Sequence, residues 1–183
     1  SLPLLLPDNN VWETIEVYKK LADARAALAE LKGRLPVIPN PLMLINTLVL
    51  QEAKDSSTIE NIFTTNDELY KAFSSSGSNI NSSTKEVLRY REALWSAFAK
   101  LKSPTDYSVY LAVEIFKTIT NKDEGIRTVQ VYIGSSNSVV YTPPEHGNIL
   151  TEKLNNWFDA ALNNNSIDPL IKMAMLHYQF EAI

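Results

Sequence analysis

A chain of 183 residues with 45% apolar and 21% charged residues is long enough to bury a real core and too apolar to stay disordered. Its net charge of −4 offers no basic surface to a phosphate backbone, so nucleic acid is not an expected partner. The absence of cysteine excludes a disulfide framework and thiolate metal sites, and only five glycines argue against a glycine-hungry all-β fold.

The opening run Leu2-Pro3-Leu4-Leu5-Leu6-Pro7 is too short and proline-bound for a signal peptide or a membrane span. The expected location is cytoplasmic, with no membrane partner. Asp8 to Asn10 predict the cap of a first helix from Val11 to Lys32, with Val11, Ile15, Tyr18, Leu21, Ala24, Leu28 and Leu31 at helical spacing. Gly33 is expected to end it as the C-terminal cap residue. Pro36 and Pro39 predict a stiff link. Asn40-Pro41 then opens a second helix with a cap and a first-turn proline, carrying Leu42, Ile45, Leu48 and Val49 into Gln51-Glu52-Ala53.

Ser74 to Asn79 is a low-complexity stretch that reads as an exposed loop or hinge. Helices are expected over 84–101, with Val87, Tyr90, Leu94 and Phe98 inward, and over 106–120, through Tyr110, Val113 and Phe116. The β-branched runs 128–133 and 138–142 flank Gly134-Ser135-Ser136-Asn137, which predicts a hairpin with a four-residue turn lying against helices. A helix carrying Ile149, Leu150, Leu154, Trp157, Phe158 and Leu162 follows, ended by Asn163-Asn164-Asn165. Asp168 and Pro169 start the last one, through Leu170, Met173, Ala174, His177 and Phe180. It reaches Ile183 without a stop signal, and residue 1 is Ser, so a piece cut from a longer protein is expected.

Three segments together resemble the Fic family, in the subgroup with an inhibitory helix ahead of the core. Ser56-Ser57-Thr58-Ile59-Glu60-Asn61 fits the inhibitory pattern of Ser or Thr, three residues, Glu, then Gly or Asn. Gly125-Ile126-Arg127-Thr128-Val129-Gln130-Val131 through Val140-Tyr141-Thr142-Pro143-Pro144 resembles the target-positioning hairpin, or flap. Pro169 to Ile183 resembles the helix that leads into the active-site loop. The resemblance implies a mainly α fold, a Fic-type helical bundle with one β-hairpin flap at 128–142. It also implies an N-terminal helical region over residues 1–75 and the first part of the core over 80–183. The catalytic signature, of the form HPFxDGNGRxxR, is absent from residues 1–183.

The activity so implied, for the intact protein, is transfer of AMP from ATP to a hydroxyl side chain of a target protein. Its Ser, Thr or Tyr acceptor is deprotonated by the signature histidine. ATP is the substrate, Mg²⁺ binds through the signature acid, and no cofactor is expected to bind residues 1–183 tightly. A homodimer remains open. No catalytic residue and no metal ligand is expected in this segment, which alone is expected to be inactive.

Ser56 and Glu60 share one helix face, and Asn61 can adopt the left-handed conformation that stops a helix. A carboxylate there opposes the helix dipole and needs a cation from elsewhere. In the family that cation is the second signature arginine, which otherwise holds the γ-phosphate of ATP. A carboxylate competes directly for the same guanidinium fork. The flap residues implied nearest the nucleotide are Ile133, Gly134, Ser135 and Ser136; from the residues alone the first reading of the hairpin is cover for the core. His177 is expected as a core histidine, His146 as solvated, and Trp12, Trp95 and Trp157 as core packing. The alternative is a non-enzymatic helical interaction protein derived from the same fold, whose complete gene would lack the signature. A regulatory partner supplying the inhibitory helix in trans is disfavoured, since it would need neither flap nor leading helix.

Overall fold

The computed structural model describes residues 2–74, 80–103, 106–135, 138–163 and 166–183. Among them are eight α-helices and one two-stranded antiparallel hairpin, the mainly α architecture expected. The chain divides into two compact units, residues 36–125 and residues 1–35 with 126–183.

In the unit of residues 36–125, α3 (Pro41–Ile59) starts where Asn40 accepts a bond from the Met43 amide at 3.1 Å, with Pro41 in the first turn. Helix α5 (Ser82–Lys100) starts likewise, with Asn81 accepting from the Thr84 amide at 2.7 Å. Between them lies α4 (Asn66–Ser74), which the sequence reading did not anticipate. Its start is a capping box: the Glu68 carboxylate accepts from the Thr65 amide at 2.9 Å, and the Thr65 hydroxyl accepts from the Glu68 amide at 3.2 Å. These helices enclose Leu50, Ala53, Leu69 and Val87, with Leu88 and Tyr90 packed against them. One buried polar contact, Thr64 hydroxyl to Thr84 hydroxyl at 2.6 Å, satisfies both groups beside that core. Helix α6 (Val109–Thr120) packs on α5 and ends at Asn121 in the left-handed region, φ 57°. Arg89 Nε donates to its Ile119 carbonyl at 2.8 Å.

In the other unit, α7 (Asn148–Asn163) and α8 (Pro169–Ala182) pack together around Leu150, Leu154, Phe158 and Ile167. Trp157 stands edge-on to Phe158 at 4.9 Å and donates its indole N–H to the Leu176 carbonyl at 2.7 Å. Asp168 caps α8 by accepting from the Leu170 amide at 2.9 Å, and Arg25 of α2 (Ile15–Arg34) pairs with the same carboxylate. Burial works against the charged form of Asp168, yet the amide and the guanidinium outweigh it and hold its carboxyl below the usual range.

Several expectations are corrected. The first helix is two, α1 (Asn9–Trp12) and α2, because Thr14 adopts extended backbone and starts α2 afresh by accepting from the Val17 amide. Gly33 lies inside α2, which runs to Arg34. The apolar stripe of this region is largely in solvent: Val11, Ile15, Tyr18, Leu28 and Leu31 are exposed, and α2 buries no residue. Phe98, Tyr110 and Phe116 are also exposed, while the buried residues of α5 are Thr84, Val87, Ala93 and Ala97. The tryptophans are half-buried rather than enclosed. Of the expected Ser74–Asn79 loop, residues 75–79 lie outside the described residues, as do Asn164 and Asn165. Among the described residues no helix is long and apolar enough to cross a membrane.

The capping box makes a pH prediction. The Thr65 amide, then the Thr65 hydroxyl, hold the Glu68 carboxyl below its ordinary value, helped by Thr64 and Asn81 and opposed by burial. A depressed folded-state pKa contributes stability above the unfolded value, near ~4.3, and loses it as pH falls through the folded value. Glu68→Gln is therefore expected to lower Tm at pH 7 and to converge on the parent in acid. Thermal melts from pH 7 to pH 3 check this, and a constant gap would contradict it.

Candidate functional site

Glu60 sits one position past the last residue of α3, as its C-terminal cap. Asn61 follows in the left-handed region, φ 63°, as its side chain permits. The Ile62 amide donates to the Ser57 carbonyl at 2.9 Å and the Asn61 amide to the Thr58 carbonyl at 3.0 Å. These two bonds are the Schellman pattern, and they take up carbonyls the helix itself leaves open. Sharp reversal of the backbone leaves the Glu60 side chain exposed. Within its own unit, among the described residues, no hydrogen bond or ion pair reaches that carboxylate. Ser56 is half-buried, and its hydroxyl donates to Glu52 at 3.1 Å, one turn back along α3, instead of meeting Glu60.

The hairpin is shorter than expected. β1 is Ile133–Ser135 and β2 is Ser138–Tyr141, so 128–132 is not paired as strand, and Gly134 and Ser135 belong to the ladder rather than the turn. Ser136, with Asn137, lies outside the described residues. Pairing runs Ile133 to Tyr141, then Gly134 to Val139, a bulge that leaves Val140 extra. Gly134 is required there: its φ is +130°, and a Cβ would stand 2.2 Å from the Ser138 carbonyl oxygen. The strands do not cover core. Every strand residue is exposed except half-buried Tyr141, which corrects the expectation that the hairpin lies against helices.

What holds the hairpin is its base. Tyr141 donates its hydroxyl to the Ala182 carbonyl at 2.6 Å, and Arg127 Nη1 donates to the Ile183 carbonyl at 2.7 Å. Arg127 also bonds the Pro144 carbonyl, and Gln130 Nε2 reaches the Pro143 carbonyl at 3.1 Å. The end of α8 is thus capped by side chains from the hairpin and the segment leading to it, with a cation at the negative pole of the helix. Burial pulls the Arg127 pKa down, opposed by Tyr141, but a guanidinium stays charged throughout the physiological range.

Residues 18–99 match the family described as Fic/DOC family N-terminal. This segment carries a Fic/DOC family N-terminal domain. The match takes in Ser56 to Asn61, so the Glu60 turn lies inside the region that identifies the family, while the hairpin and α8 lie beyond it. Fic proteins are generally associated with AMP transfer.

Not every polar residue stands where expected. His177 is exposed on α8 instead of buried in the core, because α8 turns Gln179, not His177, inward. His146 is exposed as expected. Arg127 and Tyr141 were not assigned roles from sequence. Nothing in the local sequence Lys122-Asp123-Glu124-Gly125-Ile126-Arg127 names the partner of such a remote cap.

The turn predicts its own substitution pattern. Asn61→Gly is expected to preserve or slightly raise Tm, whereas Asn61→Val is expected to cost about 1–2 kcal/mol, the penalty of a left-handed backbone for a residue with a Cβ. Thermal unfolding of the two variants checks this, and equal Tm values would contradict the assigned conformation.

Proposed function

We propose that the intact protein transfers AMP from ATP to a Ser, Thr or Tyr hydroxyl of a target protein, and that Glu60 restrains it. The observation that carries this reading is the family match across Ser56–Asn61, joined to a Glu60 carboxylate exposed at a reversed helix end. Such a carboxylate is poorly served by its own helix, whose negative pole repels it. A guanidinium would relieve that repulsion and form a charge-assisted, bidentate pair. Glu60 then occupies the arginine that the γ-phosphate needs, and ATP is not held in the reactive pose.

The hairpin supports the second half of the reading. Its strands stand free of the core, so its edge groups are open to an extended segment of a target protein. Its base is tied to the end of α8, so a segment docked on it would be held in a fixed relation to that helix.

The catalytic parts are another matter. Residues 1–183 contain neither the signature histidine nor its glycine loop, and among the described residues no group of three or more His, Asp or Glu is arranged to hold a metal ion. The residues here therefore do not fit Mg²⁺ or the ATP phosphates, and no step of transfer is derived from them.

In the full-length protein, Glu60→Gly is expected to increase AMP transfer and ATP affinity; unchanged values for both would refute restraint by this carboxylate. Residues 1–183 alone are expected to incorporate no AMP into any substrate, read with labelled ATP, and incorporation would overturn that assignment. A complete gene lacking the His and Arg positions would instead favour an interaction protein.

A further inference from the structure

Residues 2–7 run alongside α7 and α8 and are read through their backbone. The Leu5 amide donates to Asn156 Oδ1 at 2.7 Å, and Asn156 Nδ2 donates back to the Leu5 carbonyl, also at 2.7 Å. One side-chain amide thus takes both polar groups of a single residue. Two residues earlier, Gln179 Nε2 donates to the Pro3 carbonyl at 2.7 Å. Gln179 is only 3% exposed and is the one residue that α8 buries. A buried amide must find partners within the protein, and for its N–H the Pro3 carbonyl supplies one. Leu4 is 45% exposed, whereas Leu2, Leu5 and Leu6 are half-buried, so leucine packing accompanies the backbone bonds. Pro3 and Pro7 each fix their own φ, which lowers the entropy lost in docking the segment.

The position of Gln179 gives the contact its consequence. Its carbonyl accepts from the Ile183 amide at 3.1 Å, closing the last turn of α8. The next open carbonyls, Ala182 and Ile183, are those that Tyr141 and Arg127 cap. A single helical turn is therefore held by the N-terminal segment at one end and by the hairpin at the other.

We infer that residues 2–7 form a strap that sets the last turn of α8, with Gln179 as positioning residue and Asn156 as the fastening that keeps Pro3 in reach. Loss of the strap leaves the buried Gln179 amide without its acceptor, and the turn that carries the hairpin anchors loosens. The significance of this for chemistry rests on the AMP-transfer reading, in which α8 leads to the catalytic loop; the strap itself does not depend on it.

Hydrogen exchange on the 183-residue chain tests the strap with two variants, one removing both Leu5–Asn156 bonds and the other only the bond from the Leu5 N–H. Asn156→Ala removes the fastening from α7. Leu5→Pro removes the Leu5 N–H and alters no helix residue, so it remains informative if the α7 variant fails to fold. Among the described residues Asn156 makes no hydrogen bond to the hairpin or to residues 179–183. In both variants, exchange at the amides of Phe180 to Ile183 and Val139 to Tyr141 is expected to rise about fivefold, as loss of one ordinary hydrogen bond would produce, with α5 unchanged. A rise confined to residues 2–6 would make the segment a passive tail and overturn the proposal. Absence of AMP transfer by the full-length protein would sink the functional reading and leave the exchange result standing.

Discussion

The carbonyls at the end of α8 accept from two side chains, one in the hairpin and one in the segment leading to it. Tyr141 takes Ala182 and Arg127 takes Ile183. The same bonds fix the hairpin, whose strands have no core beneath them. Neither element is self-sufficient: an isolated two-stranded hairpin is marginal in water, and a helix end without caps frays. Each supplies what the other lacks. The carbonyls attract a cation because the helix dipole makes that end negative, and arginine can serve two carbonyls at once because its donors are fixed in a plane. Pro144, bonded by the same guanidinium, closes the ring at the point where the hairpin returns to α7.

The Glu60 turn is built by a different economy, entirely from local backbone. Two amides beyond α3 fold back onto Ser57 and Thr58, and Asn61 accepts the left-handed conformation this requires. The turn satisfies the helix carbonyls without using any charged group. Glu60 is thereby left unneeded for stability at a place where its charge is disfavoured. The family match and the local geometry meet at this residue.

Helix starts in this protein are written in neighbouring residues, which is why they are legible. Asn40 with Pro41 and Asp168 with Pro169 cap α3 and α8 as expected, since a cap needs only a side chain within three residues. The left-handed Asn61 is equally local. Helix α4 was also readable, through Thr65 and Glu68 at capping-box spacing and a one-sided apolar face, although it spans only nine residues. Burial is another matter. Periodicity shows that a face is apolar, not that anything covers it, and the stripe of α2 and the rings of Phe98, Tyr110 and Phe116 stand in solvent. The hairpin was misjudged for a related reason: β-branched runs mark extended backbone, whereas pairing depends on register, and the ladder goes only one pair beyond the bulge at Gly134. The caps at Ala182 and Ile183 join residues 41 and 56 positions apart, beyond any spacing rule.

The bulge has an effect on which lengths of hairpin the fold will accept. Because side chains alternate across a strand, removing or adding one residue between the bulge and Tyr141 would rotate the phenol to the opposite face, away from Ala182. Val140 is the surplus residue that sets this parity, although its own side chain is 77% exposed and touches little. An exposed valine can therefore be free to vary in kind while remaining indispensable as a spacer, and deletion there would unfasten the hairpin where substitution would not.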